Sequence, residues 1–458
     1  MAQAEQARPV PAGPAQADAV QAGLGQAGPV QAGTGQAGTG QAGARQAGAG
    51  QAGHVQAGAG QAGAGQEADL AGLYPADRLG LAAAAAARAG IGALLLTPGP
   101  DLRYLTGYDA LATERLTCLA VPADGPAFLV APRLELRSVQ ASPAGGLGLD
   151  IVAWDETDDP YRLVADRLGR PGSPGSPGAP GRPEAPGRPE ALESVGLADQ
   201  MWAMMVLRFR DALPGARLGL ASTAMRGLRI RKTDAEVAAL RQAGAAIDRV
   251  HGRVPGLLRP GRTEREVAAD IGGAIIAEGH ARADFVIVGS GPNAARPHHE
   301  PSGRILAAGD TVVVDIGGTM PSGYCSDCTR TYAIGSPPPE VTAYYQVLQE
   351  AQEIACAAVR PGVSAEAVDA AAREPITAAG YGEYFVHRTG HGIGLETHED
   401  PYIVSGNTEA LVPGMAFSVE PGIYPGPHGA RIEDILVCTP DGGQRLNNVT
   451  RELVVVDA

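Results

Sequence analysis

The chain has 458 residues with a formal net charge of −14, and its 64 Gly and 37 Pro are concentrated in two stretches. That length supports two or more domains, while the acidic balance excludes a nucleic-acid partner, which would call for a basic face. No window approaches the roughly 18 apolar residues of a membrane span, and the N-terminus lacks the basic patch and apolar run of a secretory signal, so no membrane partner and a cytoplasmic location are expected.

From Gln21 a Gln-Ala-Gly-x-x unit recurs every five residues as far as Gln61. This much glycine without a three-residue period suits neither a helix nor a collagen strand, so residues 1–68 are expected to be a disordered tail. Order should begin near Leu70, with an Ala-rich helix after Arg78-Leu79-Gly80 and a strand at Ala93 to Leu96. Further strands are expected at Leu116 to Val121, Ala127 to Val130 and Leu149 to Ala153, and a helix over Asp158 to Leu168. A Pro/Gly-rich run at 171–190 reads as an inserted flexible loop. Another helix (Met201 to Ala212) and a strand (Arg217 to Ala221) follow, closing a first α/β domain of about 69–226.

A second domain, 227–458, opens where Thr233 and Glu236 form a capping box before a long amphipathic helix. Arg259-Pro260-Gly261-Arg262-Thr263 with Val267 recurs as Arg360-Pro361-Gly362-Val363-Ser364 with Val368, an offset of 101 residues. Each copy sets a Ser or Thr at a helix N-cap after a Pro-Gly turn, which points to two related halves.

The chemistry is concentrated in those halves. Val312-Val313-Val314 delivers Asp315 at a strand end, Gly317-Gly318 and Pro321-Ser322-Gly323 turn the chain, and the returning strand Tyr324 to Tyr332 carries Asp327, Thr329 and Thr331 on one face. A hairpin centred near Pro321 sets Asp315 opposite Asp327. A second acidic hairpin, Phe417 to Glu420 with Ala430 to Glu433, repeats the pattern at offsets of 105 and 106 residues. Carboxylates set side by side need a shared proton or a metal between them. Gly390-His391-Gly392-Ile393-Gly394 and His398 lie between the two. Four carboxylates and one imidazole form an oxygen-rich set suited to Mn²⁺, Co²⁺, Fe²⁺ or Zn²⁺, and they are enough for two ions roughly 3.5–4 Å apart.

These residues make the second domain resemble the pita-bread metallopeptidases, and within them the Xaa-Pro aminopeptidases and Xaa-Pro dipeptidases (prolidases). The motifs that carry the likeness are Pro297-His298, Asp315-Ile316-Gly317-Gly318 through Asp327 to Thr331, Gly390 to Gly394 with His398-Glu399 and Pro401, Glu420-Pro421-Gly422-Ile423-Tyr424, and Arg431-Ile432-Glu433-Asp434. The first domain, through Leu102-Arg103-Tyr104-Leu105-Thr106-Gly107-Tyr108, is similar to the N-terminal domain shared with creatinase. The resemblance implies an α+β architecture, a pita-bread fold of pseudo-twofold halves behind a smaller α/β domain. It implies a metal set of Asp315, Asp327, His391, Glu420 and Glu433, with Mn²⁺ the first expectation. Asp327 and Glu433 would bridge two ions, and a bridging hydroxide would attack the scissile carbonyl. His298, His398, Glu420 and Arg431 would stabilise charge, move a proton or hold a ligand. A short proline-containing peptide as substrate and a homodimer complete what the likeness implies.

Competing readings are a metal-free creatinase-type C–N hydrolase, a non-catalytic binding module on the same fold, and a methionine aminopeptidase. The intact ligand set argues against the first two and the extra domain against the third. Cys325-Ser326-Asp327-Cys328 has the form of a redox or zinc motif, but it is solitary and sits on a strand around an acidic residue. The five cysteines, Cys118, Cys325, Cys328, Cys356 and Cys438, show no disulfide framework. Gly289-Ser290-Gly291 lacks the rest of a nucleotide loop. His54, His251, His280, His299 and His428 are expected to be structural or exposed.

Overall fold

The computed structural model describes residues 72–169 and 192–458. The repetitive tail and the Pro/Gly-rich run lie outside them.

The N-terminal part is built on a mixed six-stranded sheet. Its strands are β1 (Ala93–Leu96), β2 (Cys118–Pro122), β3 (Phe128–Pro132), β4 (Asp150–Trp154), β5 (Ser194–Leu197) and β6 (Arg217–Leu220), in the order β4-β3-β2-β1-β5-β6. The apolar run of β1 is fully buried because it is the interior strand between β2 and β5 and is covered on both faces. One cover is the Ala-rich helix Asp77–Arg88, which packs with Leu94 and Leu96; the other includes Phe209 and Met205 of the helix Ala203–Ala212. A helix at Ser222–Arg229 follows β6, where the sequence suggested only a domain end.

Two helix pairs back the C-terminal part. Asp234–His251 and Glu264–Ala277 cover the sheet of β7 (Arg282–Ser290), β8 (Thr311–Thr319) and β9 (Cys325–Ile334). Pro339–Ala358 and Ala365–Ala378 cover a second sheet built from β10 (Gly390–Gly392), β11 (Glu399–Ile403), β12 (Ala416–Val419), β15 (Asp434–Thr439) and β16 (Gly442–Arg445), with a short ribbon of β13 (Gly422–Ile423) and β14 (Ala430–Arg431) beside it. The final strand β17 (Val454–Val456) joins β9 in parallel.

The repeat seen in the sequence has a structural counterpart. Thr263 bridges Ile305 and Ser364 bridges Ala410, and the amides of Gly261 and Gly362 donate to the carbonyls of Leu306 and Leu411. Thr233 and Thr263 each close a full capping box with Glu236 and Glu266, whereas Ser364 receives only the Ala367 amide because position 367 has no carboxylate to reach back.

Two local expectations are corrected. Asp315 lies in the middle of β8, since the strand runs on through Gly317 and Gly318 to Thr319. Those glycines read as turn signals, but their role is close approach. A Cβ on Gly317 would come within 2.5 Å of the Phe285 ring, and one on Gly318 within 2.6 Å of the Arg282 carbonyl on β7. The second acidic hairpin is not continuous either. Val419 pairs with Asp434, and Gly422 with Arg431, while Glu420 and Glu433 fall in the gap between the two ladders. Pro421, which has no N–H to give a ladder, occupies that gap.

Candidate metal centre

The β8–β9 register places Asp315 opposite Thr329 and Asp327 opposite Gly317. The two acids are therefore diagonal neighbours on one face of the ladder rather than directly opposed, as the sequence suggested. Thr329, between them, joins the second sheet to this one. Its hydroxyl donates to Glu433 Oε2 at 2.9 Å, and its carbonyl accepts the Glu433 amide at 3.1 Å.

His391 sits at the centre of β10, pressed between β11 and β12. Glycine flanks it on both sides because a Cβ at 390 would collide with the Ser418 carbonyl, and one at 392 with the Asp400 carbonyl. We predict that Gly390→Ala displaces β10, lowering both stability and the affinity for metal; unchanged metal titration and melting would refute it. The imidazole Nδ1 lies 3.1 Å from the Gly392 carbonyl, which can only accept, so Nδ1 carries a proton and Nε2 is the nitrogen turned toward the carboxylates, the one that a bound cation would take. Nε2 lies 3.2 Å from Glu420 Oε1 and 3.7 Å from Asp327 Oδ2.

The four acids and the imidazole thus converge. Donor atoms of Asp315, Asp327 and Glu433 lie within 4.8 Å of one another, and so do those of His391, Glu420 and Glu433. His398 joins a third such group with Asp327 and His391, its ring centroid 3.8 Å from that of His391.

The cluster fits a cation. Asp315, Asp327 and Glu433 are buried. Burial, reinforced by the neighbouring carboxylates, pushes Asp327 and Glu433 well above the usual acid range, so a full set of ionised groups needs positive charge between them. Glu420 is held down despite its burial by the hydrogen bond and positive charge of the adjacent His391 when that ring is protonated in the absence of a cation. Asp315 Oδ2 takes Arg431 Nη2 at 2.5 Å, whereas the buried Oδ1 has no hydrogen-bond partner among the described residues. A buried carboxylate oxygen with no hydrogen-bond partner, on a residue grouped with two other acids, fits a cation ligand.

Arg431 is saturated: besides Asp315 it reaches the Tyr424 hydroxyl at 2.9 Å, Thr329 Oγ1 at 3.1 Å and the Pro297 carbonyl at 3.3 Å. His398 is exposed on one side, and burial of the other, together with His391, lowers it to about 4, leaving a neutral ring at physiological pH. His298 is also exposed, and its side chain makes no hydrogen bond with a described residue. Its neighbour His299 is structural, bonded through Nε2 to Glu264 at 2.8 Å.

Glu264 pins the whole loop that carries His298. Its buried carboxylate accepts from the Ser290 amide and hydroxyl, the Asn293 amide group, His299 and the Ser302 amide and hydroxyl. Burial opposes its ionisation, but the hydrogen bonds from Ser290, Ser302, Asn293 and His299 outweigh it and bring the group down to about 2. A carboxyl lowered from 4.5 contributes stability above that value and loses it as pH falls toward 2. Glu264→Gln should therefore be less stable than wild type at pH 7, and the gap should close on acidification between about pH 4.5 and 2. A pH-independent difference in urea midpoint would show that the loop is held otherwise.

Two groups near the site, His387 and Arg388, were not found from the sequence, and Asp434 was read there only as part of the Arg431-to-Asp434 motif. His387 bonds through Nε2 to the Tyr424 hydroxyl at 3.0 Å, Arg388 stacks over the Tyr402 ring at 4.3 Å, and Asp434 anchors Arg330 at 2.6 Å. Only adjacency to the His391 and Glu433 motifs could have flagged them. Cys325 and Cys328 are buried free thiols, both raised by burial, which leaves them unreactive. His251 and His280 are buried and hydrogen-bonded, to Tyr332 and Ser326.

The chain is similar to known proteins over most of its described length. Residues 238–440 match the model of metallopeptidase family M24, and residues 78–231 that of the creatinase/prolidase N-terminal domain. A probable dipeptidase PepE of Mycobacterium tuberculosis is 55% identical over 382 residues, covering 83% of this chain and 96% of that protein. The Xaa-Pro dipeptidase of Lactobacillus helveticus is 36% identical over 359 residues, covering 78% and 92%. The crystal structure of dipeptidase PepE from Mycobacterium ulcerans superimposes with a TM-score of 0.75 at 54% identity, covering 85% of this chain and 99% of that one.

Proposed function

The chain belongs to metallopeptidase family M24, with a creatinase/prolidase N-terminal domain and a pita-bread fold, and from that premise we propose that it hydrolyses Xaa-Pro dipeptides with two divalent cations. A metallopeptidase of the dipeptidase and prolidase type is the family's reading; the bond, the ion count and the residue roles are ours. One observation carries it: the groups Asp315/Asp327/Glu433 and His391/Glu420/Glu433 share Glu433. Two overlapping ligand groups suit two adjacent ions better than one.

Asp315, Asp327, His391, Glu420 and Glu433 would hold the metals, with Mn²⁺ favoured by the oxygen-rich set. When bound, such a pair supplies an activated water and polarises the scissile carbonyl. Glu420, beside His391 and outside the strand ladders, would take the proton released by the attacking water and pass it to the leaving nitrogen. The Nδ1 of His398 faces Arg388 Nη2, a pure donor, at 3.5 Å. That orientation assigns the proton to Nε2, from which it can stabilise oxygen charge in the transition state. His298 would act from the opposite loop, and Arg431 would hold Asp315. The Xaa-Pro preference follows the name of the Lactobacillus relative; an imide bond also presents no N–H for the site to satisfy. We assign the catalytic domain to 227–458 and the N-terminal domain to 69–226.

The test is hydrolysis of Ala-Pro, Ala-Pro-Ala and Ala-Ala by metal-stripped enzyme reloaded with Mn²⁺, Co²⁺ or Zn²⁺, with Asp327→Ala as control. Metal-restored cleavage of Ala-Pro above Ala-Ala is expected. Preferential cleavage of Ala-Pro-Ala would make the enzyme an aminopeptidase, and equal rates on Ala-Pro and Ala-Ala would remove the proline preference.

A further inference from the structure

We propose that Lys232 and Arg229 are positioning residues for His398: by holding the Glu399 carboxylate they fix the segment 396–400 from which the imidazole reaches the metal centre. The inference rests on the reading of His398 as a group that stabilises charge in the reaction.

Segment 396–400 leads into β11 and carries three acids around His398. Each of the three is tied to the N-terminal part or to its junction with the C-terminal part. Glu396 accepts from Gln200 Nε2 at 2.5 Å and from Arg229 Nη2 at 2.7 Å. Glu399 accepts from Arg229 Nη2 and from Lys232 Nζ, both at 2.5 Å, and Asp400 pairs with Arg226 at 3.0 Å. Arg229 extends the network through Asp101, at 2.8 Å, on the helix Pro100–Thr106.

The Lys232–Glu399 pair is the buried part of this network. Its side chains are 2% and 9% exposed, and the Lys232 amide donates to the Gly414 carbonyl at 2.7 Å. Lys232 is also the single lysine in a chain of 36 Lys and Arg residues. A chain whose other cations are all arginine puts the compact ammonium here, in a closed site where a planar guanidinium would need more room. The Glu399 carboxylate in turn covers Gly394, where a Cβ would come within 2.5 Å of Oε1. Glu399 also pairs with Gly392 in the β10–β11 ladder. One held side chain thus ties the backbone of His398 to the strand that carries His391.

His398 has little else to hold it. It is exposed, and its ring makes one hydrogen bond with the described residues, to Arg388 Nη2 at 3.5 Å. A cavity of about 320 Å³, lined by Pro98, Met225, His398 and Tyr402 among others, leaves the segment without close packing on that side. The ring nonetheless sits 3.8 Å from that of His391, centroid to centroid. Its aim therefore depends on the backbone, and the backbone depends on the ion pairs. Removing one partner of a buried pair leaves the other uncompensated and drives the segment to a new arrangement.

The experiment compares the full chain with its Lys232→Met variant. In the metal-free proteins, amide hydrogen exchange should be severalfold faster over 394–400 in the variant and unchanged over 311–334. With Mn²⁺ restored, kcat on the better of Ala-Pro and Ala-Ala should fall by about 10- to 100-fold, while KM and metal affinity stay within about threefold. A double-mutant cycle separates positioning from general damage. His398→Ala lowers kcat by itself, and adding Lys232→Met to it should change kcat by less than about twofold. Losses that multiply independently overturn the proposal, as does unchanged exchange over 394–400 or a Lys232→Met kcat within about threefold of wild type. If Lys232→Met does not fold, the paired variant Lys232→Met/Glu399→Gln removes both charges together, so neither is stranded in the interior, and the same cycle is run on it. Failure of the functional reading looks different: wild type with metal bound then cleaves neither dipeptide, and the exchange comparison still tests the hold on 394–400.

Discussion

Replacing Glu433 by glutamine is expected to reduce metal-restored dipeptide hydrolysis by about 10³-fold or more, a larger loss than the roughly 10- to 100-fold that follows removal of a partner outside the coordination sphere. Glu433 is the one group common to the two main ligand groups, and its Oε2 is held in place by the Thr329 hydroxyl. Glutamine keeps the shape but offers a neutral oxygen and a donor nitrogen where two cations need negative charge. The same change should raise the melting temperature of the metal-free protein. Without cations, Asp327 and Glu433 are buried against like charge, and either repulsion or proton uptake weakens the fold. Added Mn²⁺ should stabilise wild type strongly and the variant little. Retention of activity within tenfold, or a metal-free variant that melts lower, would show that Glu433 is not shared by the metals.

Asp434→Ala should cost about 3–5 kcal/mol of stability, the range for stripping one partner from a buried ion pair. Asp434 is fully buried and receives Arg330 Nη2 at 2.6 Å, Gln352 Nε2 at 3.0 Å and Arg451 Nη1 at 3.3 Å. Its loss leaves the Arg330 guanidinium, whose side chain is 2% exposed, without its carboxylate. The damage should extend to the metal site. Arg330 Nη1 also donates to the Glu433 carbonyl at 2.5 Å, so metal affinity should fall by about 10- to 100-fold. Urea unfolding and metal titration measure the two effects separately. A stability loss below about 1 kcal/mol would mean that the neighbouring polar groups already satisfy Arg330.

The glycine positions show how one signal carries two meanings. Gly323, at φ 88° between β8 and β9, turns the chain as expected. Gly317 and Gly318 carry the same sequence signal yet lie inside β8, because a neighbouring strand and the Phe285 ring come too close for a side chain. Composition alone cannot separate a bend from a close approach, since both select for the absence of Cβ.

Much was fixed along the chain itself. The identity and order of Asp315, Asp327, His391, Glu420 and Glu433, the Thr and Ser caps at 233, 263 and 364, and the 101-residue repeat are local patterns, set by side-chain chemistry and by the short periods of strand and helix. Tertiary structure alone decided how these parts meet. The diagonal offset of Asp315 and Asp327 comes from strand register, which a turn and its neighbouring strands set together. The break in the second ladder that frees Glu420 and Glu433 arises where two short strand pairs fail to join across Pro421. The placement of Arg388 over Tyr402 and against His398 depends on packing between segments on separate elements, and no period in the sequence encodes contacts of that kind.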